Sequence, residues 1–256
     1  MKDQQRIVFL GTAVAMANAD QDTTYMVFDT PGFPFLIDCA GSPAHKLQRL
    51  GLDPRDLGGI LLTHSHADHI YGLPSLVQDL VLRGRDEPLP IYANPSTRQV
   101  AQAQLAAFDM PKEFQEFLQW CEIAETRNNL LLERAEFSLY TASTDHILPS
   151  LAVRINSRLN GTSLTYSGDT TPCPNLIELA TGTDILVHEA SVLEPLAGHS
   201  TVQQAAETAA EVGARRLIMI HYHPDLARRP EQVLAEVSKY YGGEVTLARD
   251  YDSIYL

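Results

Sequence analysis

Residues Ile60–Leu76 read ILLTHSHADHIYGLPSL, and the composition of this stretch changes abruptly at Thr63. The segment GGILLTH is a short apolar run that ends at a histidine cluster, the pattern of a strand feeding an exposed loop. Three histidines and one aspartate then fall within the six positions His64–His69. The spacing beyond them predicts a helix over residues 69–83. His64 and His66 sit two apart at the strand end, while Asp68 and His69 follow as the chain turns, so one loop faces two neighbouring points. Zinc accepts imidazole nitrogen and carboxylate oxygen at about 2.0–2.2 Å, and the donors on this one loop are rich enough to seed two metals.

The flanking sequence supplies a layered frame for that loop. On its amino side, RIVFLGTA, TTYMVFD and PFLIDCA are apolar runs bounded by Gly, Pro or Asp, as strands are. SPAHKLQRLGL carries helical spacing at Leu47, Leu50 and Leu52. On its carboxyl side LPIYA is a further strand, and residues 95 to about 134, with Trp120 and Cys121, are predicted to form a mostly helical, polar insertion. The second half repeats the grammar. EFSLYTA, SLAVRIN and SLTYSGD predict strands, a helix follows Pro174, DILVHEA is a strand, Val202–Val212 a helix, RLIMIHYH a strand, and a last helix precedes EVTLARDY. Strands with interleaved helices in two comparable halves predict an α/β architecture, organised as a single domain over residues 1–256.

Composition narrows the function classes. Apolar residues are 45% and charged residues 20% of the 256, the usage of a chain that folds on its own. Against 32 acidic side chains stand 19 basic ones, a formal charge of -13 that repels polyanions unless basic residues cluster. Cys39, Cys121 and Cys173 are odd in number and widely spaced, which suits a reducing, cytoplasmic setting better than a disulfide framework. MKDQQRIVFLGTA has too short an apolar run for a signal sequence, and no stretch predicts a membrane span.

The run THSHADH closely resembles the signature of the metallo-β-lactamase superfamily. That resemblance implies a four-layer αβ/βα sandwich of two mixed β-sheets flanked by helices, with zinc-dependent hydrolytic chemistry. It also implies further ligands downstream, and His146 in STDHILPS, Asp169 in TYSGDTTP and His221 in LIMIHYHP arrive in the required order. On this pattern His64, His66 and His146 hold one metal, Asp68, His69 and His221 the other, and Asp169 bridges them. His223, two residues past His221, is a rival donor; His45 belongs to a polar helix face.

Over nearly its whole length the sequence is similar to ribonuclease Z and its phosphodiesterase relatives, through VFLGTA, FLIDCA, THSHADHIYGLPSL, TYSGDT, LVHEAS and HSTVQQAAETA before LIMIH. The resemblance makes His199 a candidate to contact phosphate and protonate the leaving oxygen, with Glu189 as its partner. His199 precedes a helix beginning near Thr201, whose amino end would favour an anion. Two features depart from the relatives that cut transfer RNA precursors. Their long basic arm has no counterpart in residues 95 to 134, and no Lys or Arg stands between Arg6 and Lys46.

The expected activity is therefore that of a dinuclear zinc hydrolase cleaving a phosphodiester with a metal-bridging hydroxide that Asp68 orients. Manganese or iron fits the same donors. Small or cyclic phosphodiesters are the expected substrates ahead of RNA, and relatives of this kind often form homodimers. An arylsulfatase-like sulfate ester hydrolase, a thioester hydrolase and a non-catalytic metal-binding or RNA-binding scaffold are the alternatives.

Overall fold

A computed structural model describes residues 4–256; Met1–Asp3, which carry Lys2 and open the segment judged too short for a signal sequence, lie outside the described residues. Contacts divide the chain into two compact units. The first holds the residues up to Gly11, Ala19–Ile123 and Asp250–Tyr255; the second holds Thr12–Asn18, Ala124–Arg249 and Leu256. Among the described residues no helix is long and apolar enough to cross a membrane.

The first unit begins with strands β1 (Arg6–Gly11), β2 (Tyr25–Asp29), β3 (Phe35–Ile37), β4 (Gly59–Leu61), β5 (Leu89–Ala93) and β6 (Leu118–Glu122). Its helices are α1 (Pro43–Arg49), α2 (Ala67–Ile70), α3 (Leu73–Leu82) and α4 (Pro95–Ala107). The second unit has β7 (Asn129–Glu133), β8 (Phe137–Thr144), β9 (Ser150–Ser157), β10 (Ser163–Tyr166), β11 (Ile185–Ala190), β12 (Arg216–Tyr222) and β13 (Glu244–Leu247). Helices α5 (Pro174–Ala180), α6 (Val202–Glu211), α7 (Pro224–Ala227) and α8 (Pro230–Val237) connect them, and β14 (Ser253–Tyr255) returns to the first unit.

Each unit contains one seven-stranded mixed sheet, in the orders β14-β1-β2-β3-β4-β5-β6 and β13-β12-β11-β10-β9-β8-β7. In the first, β3 to β6 run parallel, and Ile37 pairs with Leu61, so the carboxyl ends of β3 and β4 lie side by side. In the second, β10 to β13 run parallel, with Tyr166 paired to Val187 and Ala190 to Tyr222. Side-by-side carboxyl ends of parallel strands are where loops can gather functional groups.

Alternation along the strands builds the core of each unit. Val8, Leu10, Val27, Leu36, Ile60 and Ile91 form one buried cluster with Leu47, Leu73, Leu76, Leu80 and Leu105 from the helices. The alternate residues Ile7, Phe9, Met26, Phe28, Phe35 and Ile37 are as deeply buried, which explains why these strands read as nearly continuous apolar runs. In the second unit Ala152, Leu186, Leu217 and Met219 share a cluster with Leu176, Ala206, Ala209, Val233 and Val237.

Two expectations are corrected. The helix foreseen over residues 69–83 is divided into α2 and α3 at Gly72. The Gly72 N–H donates to the Cys39 carbonyl at 2.8 Å, and a Cβ there would stand 2.7 Å from the Ala40 carbonyl oxygen, so the close approach excludes a side chain. The expected helical insertion at about 95–134 is helical mainly in α4; the rest supplies β6, parallel to β5, and β7, antiparallel to β8. The segment thus completes one edge of each sheet. Leu118 is buried in the first core with Trp120 packed against it, and pairing along β5 with this packing outweighed the weak helical pattern.

Candidate metal centre

In the first unit the histidine loop is built at the carboxyl end of β4. His64 and His69 are fully buried, His66 is the residue before α2, and Asp68 and His69 lie within α2. Buried Asp38, just past β3, organises them. Its Oδ1 accepts the Thr63 N–H at 2.7 Å, and its carboxylate accepts the Thr63 hydroxyl at 2.9 Å. The Asp38 Oδ2 lies 2.7 Å from His69 Nδ1, and a carboxylate only accepts, so His69 carries its proton on Nδ1. His64 Nε2 and His66 Nδ1 face each other at 3.0 Å. Burial pushes the Asp38 carboxyl above its ordinary range, while His69 and Thr63 pull it back.

The second unit brings together His146, Asp169, Glu189, His199 and His221. Asp169 follows β10 and is 1% exposed; Glu189, the residue before the last of β11, is fully buried. His221 lies at the end of β12, at a register shift where Glu189 pairs with Ile220 but Ala190 with Tyr222. Its φ of +50° is in the left-handed region, held by donation of its N–H to the Thr12 carbonyl at 2.9 Å. Such a conformation costs about 1–3 kcal/mol and persists only where surroundings enforce it. His221 Nε2 is 3.6 Å from Asp169 Oδ2, and His199 Nδ1 is 3.9 Å from that oxygen. Asp169, His199 and His221 each offer a ligand atom within 4.8 Å of the others, so His199 is a rival metal donor as well as a candidate acid.

His199 Nδ1 lies 3.0 Å from Glu189 Oε1, and its ring stacks on that of His221 at a centroid distance of 6.1 Å. The Glu189 carboxylate also accepts the N–H groups of Thr170 and Ser191 and the Ser191 hydroxyl, at 3.1, 2.8 and 2.6 Å. His146 donates its Nδ1 proton to the Gly198 carbonyl at 2.6 Å, which makes Nε2 its basic nitrogen. His223 instead caps α7, accepting from the Asp225 N–H at 3.2 Å, and His45 is exposed on α1.

At the amino end of α6, Thr201 and Gln204 form a capping box: the Thr201 N–H donates to Gln204 Oε1 at 2.9 Å and the Gln204 N–H to Thr201 Oγ1 at 3.2 Å, so these two donors are engaged within the protein. Asp38, Thr63 and Ser191 had no assigned role. The one available hint was an aspartate embedded in the apolar run FLIDCA.

Sequence and structure comparisons place the chain among known families. The family model described as "Beta-lactamase superfamily domain" matches residues 34–222, a range that includes Asp38, His64, His66, Asp68, His69, His146, Asp169, His199 and His221 and stops short of His223. Ribonuclease Z of Mycobacterium marinum is 30% identical over 269 residues, spanning 95% of this chain and 96% of that protein. Among solved structures, the metallo-beta-lactamase fold protein YhfI from Bacillus subtilis superposes with a TM-score of 0.81 at 20% identity, covering all of both chains. The short form of human tRNase Z gives 0.75 at 24% identity, covering 97% of this chain and 98% of that one. With an α/β fold of two seven-stranded mixed sheets and a sequence match running almost end to end, the chain belongs to the β-lactamase superfamily, in the ribonuclease Z-like branch of its metal-dependent hydrolases.

Proposed function

We propose that this hydrolase cleaves phosphodiesters with two metal ions, zinc foremost, and prefers small or cyclic substrates to structured RNA. The carrying observation is the 3.0 Å pairing of Glu189 with His199 beside Asp169 and His221. It sets a protonatable imidazole next to metal donors.

The donor chemistry fits the metals. On the pattern the sequence resembles, His64, His66 and His146 would hold one ion and Asp68, His69 and His221 the other. Asp169, as a carboxylate with two oxygens, would serve both. Imidazole and carboxylate donors suit zinc and equally admit manganese or iron. When bound, a metal pair brings the pKa of water down to about 7, supplying a nucleophile at neutral pH, and neutralises charge growing on phosphoryl oxygens.

The protein's own groups do the rest. Asp68 orients the nucleophile from its position between His66 and His69. Glu189 holds the His199 ring by Nδ1, so that protonated His199 delivers the Nε2 proton to the departing oxygen. A general acid of this kind contributes about 100-fold to 10,000-fold.

Substrate size follows from charge. The net charge of -13 disfavours a polyanion, and residues 95–134 are spent on α4 and two edge strands instead of a basic arm. The names of the ribonuclease Z relatives make RNA the second substrate class. Three unpaired cysteines suit a cytoplasmic protein, and a homodimer is the expected assembly. The test is metal analysis followed by a panel of bis(p-nitrophenyl) phosphate, a 2′,3′-cyclic nucleotide, p-nitrophenyl sulfate, a thioester and precursor transfer RNA. Turnover of the first two ahead of the others is expected. Preference for the sulfate or thioester would overturn the phosphodiesterase reading, and no turnover of any would favour a scaffold.

A further inference from the structure

In each unit one buried carboxylate holds two histidines, one directly and the other through a hydroxyl. Asp38 meets His69 Nδ1 at 2.7 Å and accepts the Thr63 hydroxyl at 2.9 Å, while Thr63 Oγ1 stands 3.1 Å from His64 Nδ1. Glu189 meets His199 Nδ1 at 3.0 Å and accepts the Ser191 hydroxyl at 2.6 Å, while Ser191 Oγ stands 2.7 Å from His221 Nδ1. All these groups except His199 are buried.

A hydroxyl has a single proton to give, and here the ionised carboxylate takes it. Ser191 Oγ also lies 3.0 Å from the His221 carbonyl oxygen, but the carboxylate is both closer and charged. Towards the imidazole each hydroxyl oxygen can then only accept. The ring proton is therefore on Nδ1 in both His64 and His221, and the basic nitrogen is Nε2. Without the hydroxyl, Nδ1–H would lose its acceptor in a buried setting, and either ring could exchange tautomers or rotate.

We propose that Ser191 and Thr63 are positioning residues whose hydroxyls make Nε2 the coordinating atom of His221 and His64, and that Ser191 additionally couples His221 to His199 through Glu189. The assignment deepens the metal-hydrolase reading and rests on it for metal binding at His64 and His221 and for the role of His199. The hydrogen-bond geometry carries the rest.

The test compares the full-length parent with Ser191→Ala, Ser191→Thr, Thr63→Val and Thr63→Ser. Zinc retention is measured by competition with a chromophoric chelator, and the cobalt(II)-loaded proteins are compared by visible absorption. Partners that orient metal-binding histidines are worth about 10–100-fold in affinity, so Ser191→Ala and Thr63→Val should lose zinc by that factor and shift the cobalt spectrum. Ser191→Thr and Thr63→Ser, which keep the hydroxyl, should retain both properties. With bis(p-nitrophenyl) phosphate at saturating zinc, Ser191→Ala should lower kcat more than it raises KM. Near-ultraviolet circular dichroism checks folding, and because Thr63→Val is nearly isosteric it decides the matter if Ser191→Ala fails to fold.

Parent-like zinc affinity and cobalt spectrum in a folded hydroxyl-free variant would overturn the proposal, as would a parent that binds neither metal. If the parent binds zinc but turns over no phosphodiester, the phosphodiesterase reading fails, and the zinc and cobalt measurements still decide the positioning role.

Discussion

At Gly198 the backbone has φ +86°, and a Cβ would stand 3.0 Å from both His146 Nδ1 and the Ile147 nitrogen. The same residue's carbonyl accepts the His146 proton. Gly198→Ala must therefore strain the backbone or displace His146, at a cost of about 1–3 kcal/mol. A lower zinc affinity in chelator competition, with thermal unfolding of the metal-free protein shifted down, is the expected result; an alanine variant matching the parent in both would show that the loop relaxes freely. His199→Ala tests a different property of the same neighbourhood. It should slow phosphodiester hydrolysis by about 100-fold to 10,000-fold while the bound metal, measured by atomic emission, stays unchanged. Loss of metal would make His199 a ligand, as its grouping with Asp169 and His221 allows. The sequence made the dense loop His64–His69 legible because a local spacing carried it. Asp38, Thr63 and Ser191 were not legible as a network. Asp38 reaches His69 across 31 positions and Ser191 reaches His221 across 30, and such contacts exist only once parallel strands are in register.

Strand β11 shows how an element divides labour between its two sides. Glu189 serves the histidines, whereas the adjacent His188 is fully buried, with Nδ1 2.8 Å from the Glu189 carbonyl. Burial lowers the His188 pKa below its ordinary 6.5, since a charged imidazole would be desolvated. The unfolded chain then takes up the proton first as the pH falls. Stability contributed by this residue is present above about pH 6.5 and is lost on acidification towards the lower folded value, at a slope of at most about 1.4 kcal/mol per pH unit. In urea titrations of metal-free protein at pH 7.5 and 5.5, His188→Gln should narrow the difference between the two midpoints, whatever it does to stability at pH 7.5. An unaltered difference would mean that His188 does not titrate between the two states.

Helix α1 is fastened by a comparable buried group. Lys46 Nζ, on a side chain 12% exposed, pairs with Asp22 at 2.9 Å and Asp250 at 3.2 Å and donates to the Leu10 carbonyl. Lys46→Met would leave those acceptors uncompensated; discounting for the partial exposure of Asp22, about 2–4 kcal/mol of stability should be lost in urea unfolding. Retention of parental stability would show the ion pairs to be dispensable. These long-range ties, like the edge strands β6 and β7, lie beyond what a periodic pattern reveals. Strands such as β1, β11 and β12 were legible because burial on both faces makes them apolar runs, whereas residues 118–133 mix buried and exposed positions and carry no such run.

The charge of the whole chain bears on its encounter with substrate. A formal charge of -13 sets up a repulsive field for any polyanion, and that field is screened over roughly 8 Å at physiological ionic strength. A protein that grips RNA with a basic arm loses affinity as salt rises, because phosphate contacts release counterions. Without such an arm the sign should reverse: adding potassium chloride between about 20 and 200 mM should raise kcat/KM for precursor transfer RNA, since screening relieves repulsion. For bis(p-nitrophenyl) phosphate, which carries a single negative charge, the change should be much smaller and of the same sign. Measuring both substrates in parallel separates this field effect from any salt effect on the metal centre, which would act on the two alike. A kcat/KM for RNA that falls steeply with salt would instead mean that local basic side chains overcome the bulk charge. The pairs Arg215 with Arg216 and Arg228 with Arg229 would then be the first to replace. Three of those four arginines pair with acidic side chains: Arg215 with Asp184, Arg216 with Glu244 and Arg228 with Asp225. Their charges are thus largely answered within the protein, which is the physical reason to expect the rising profile.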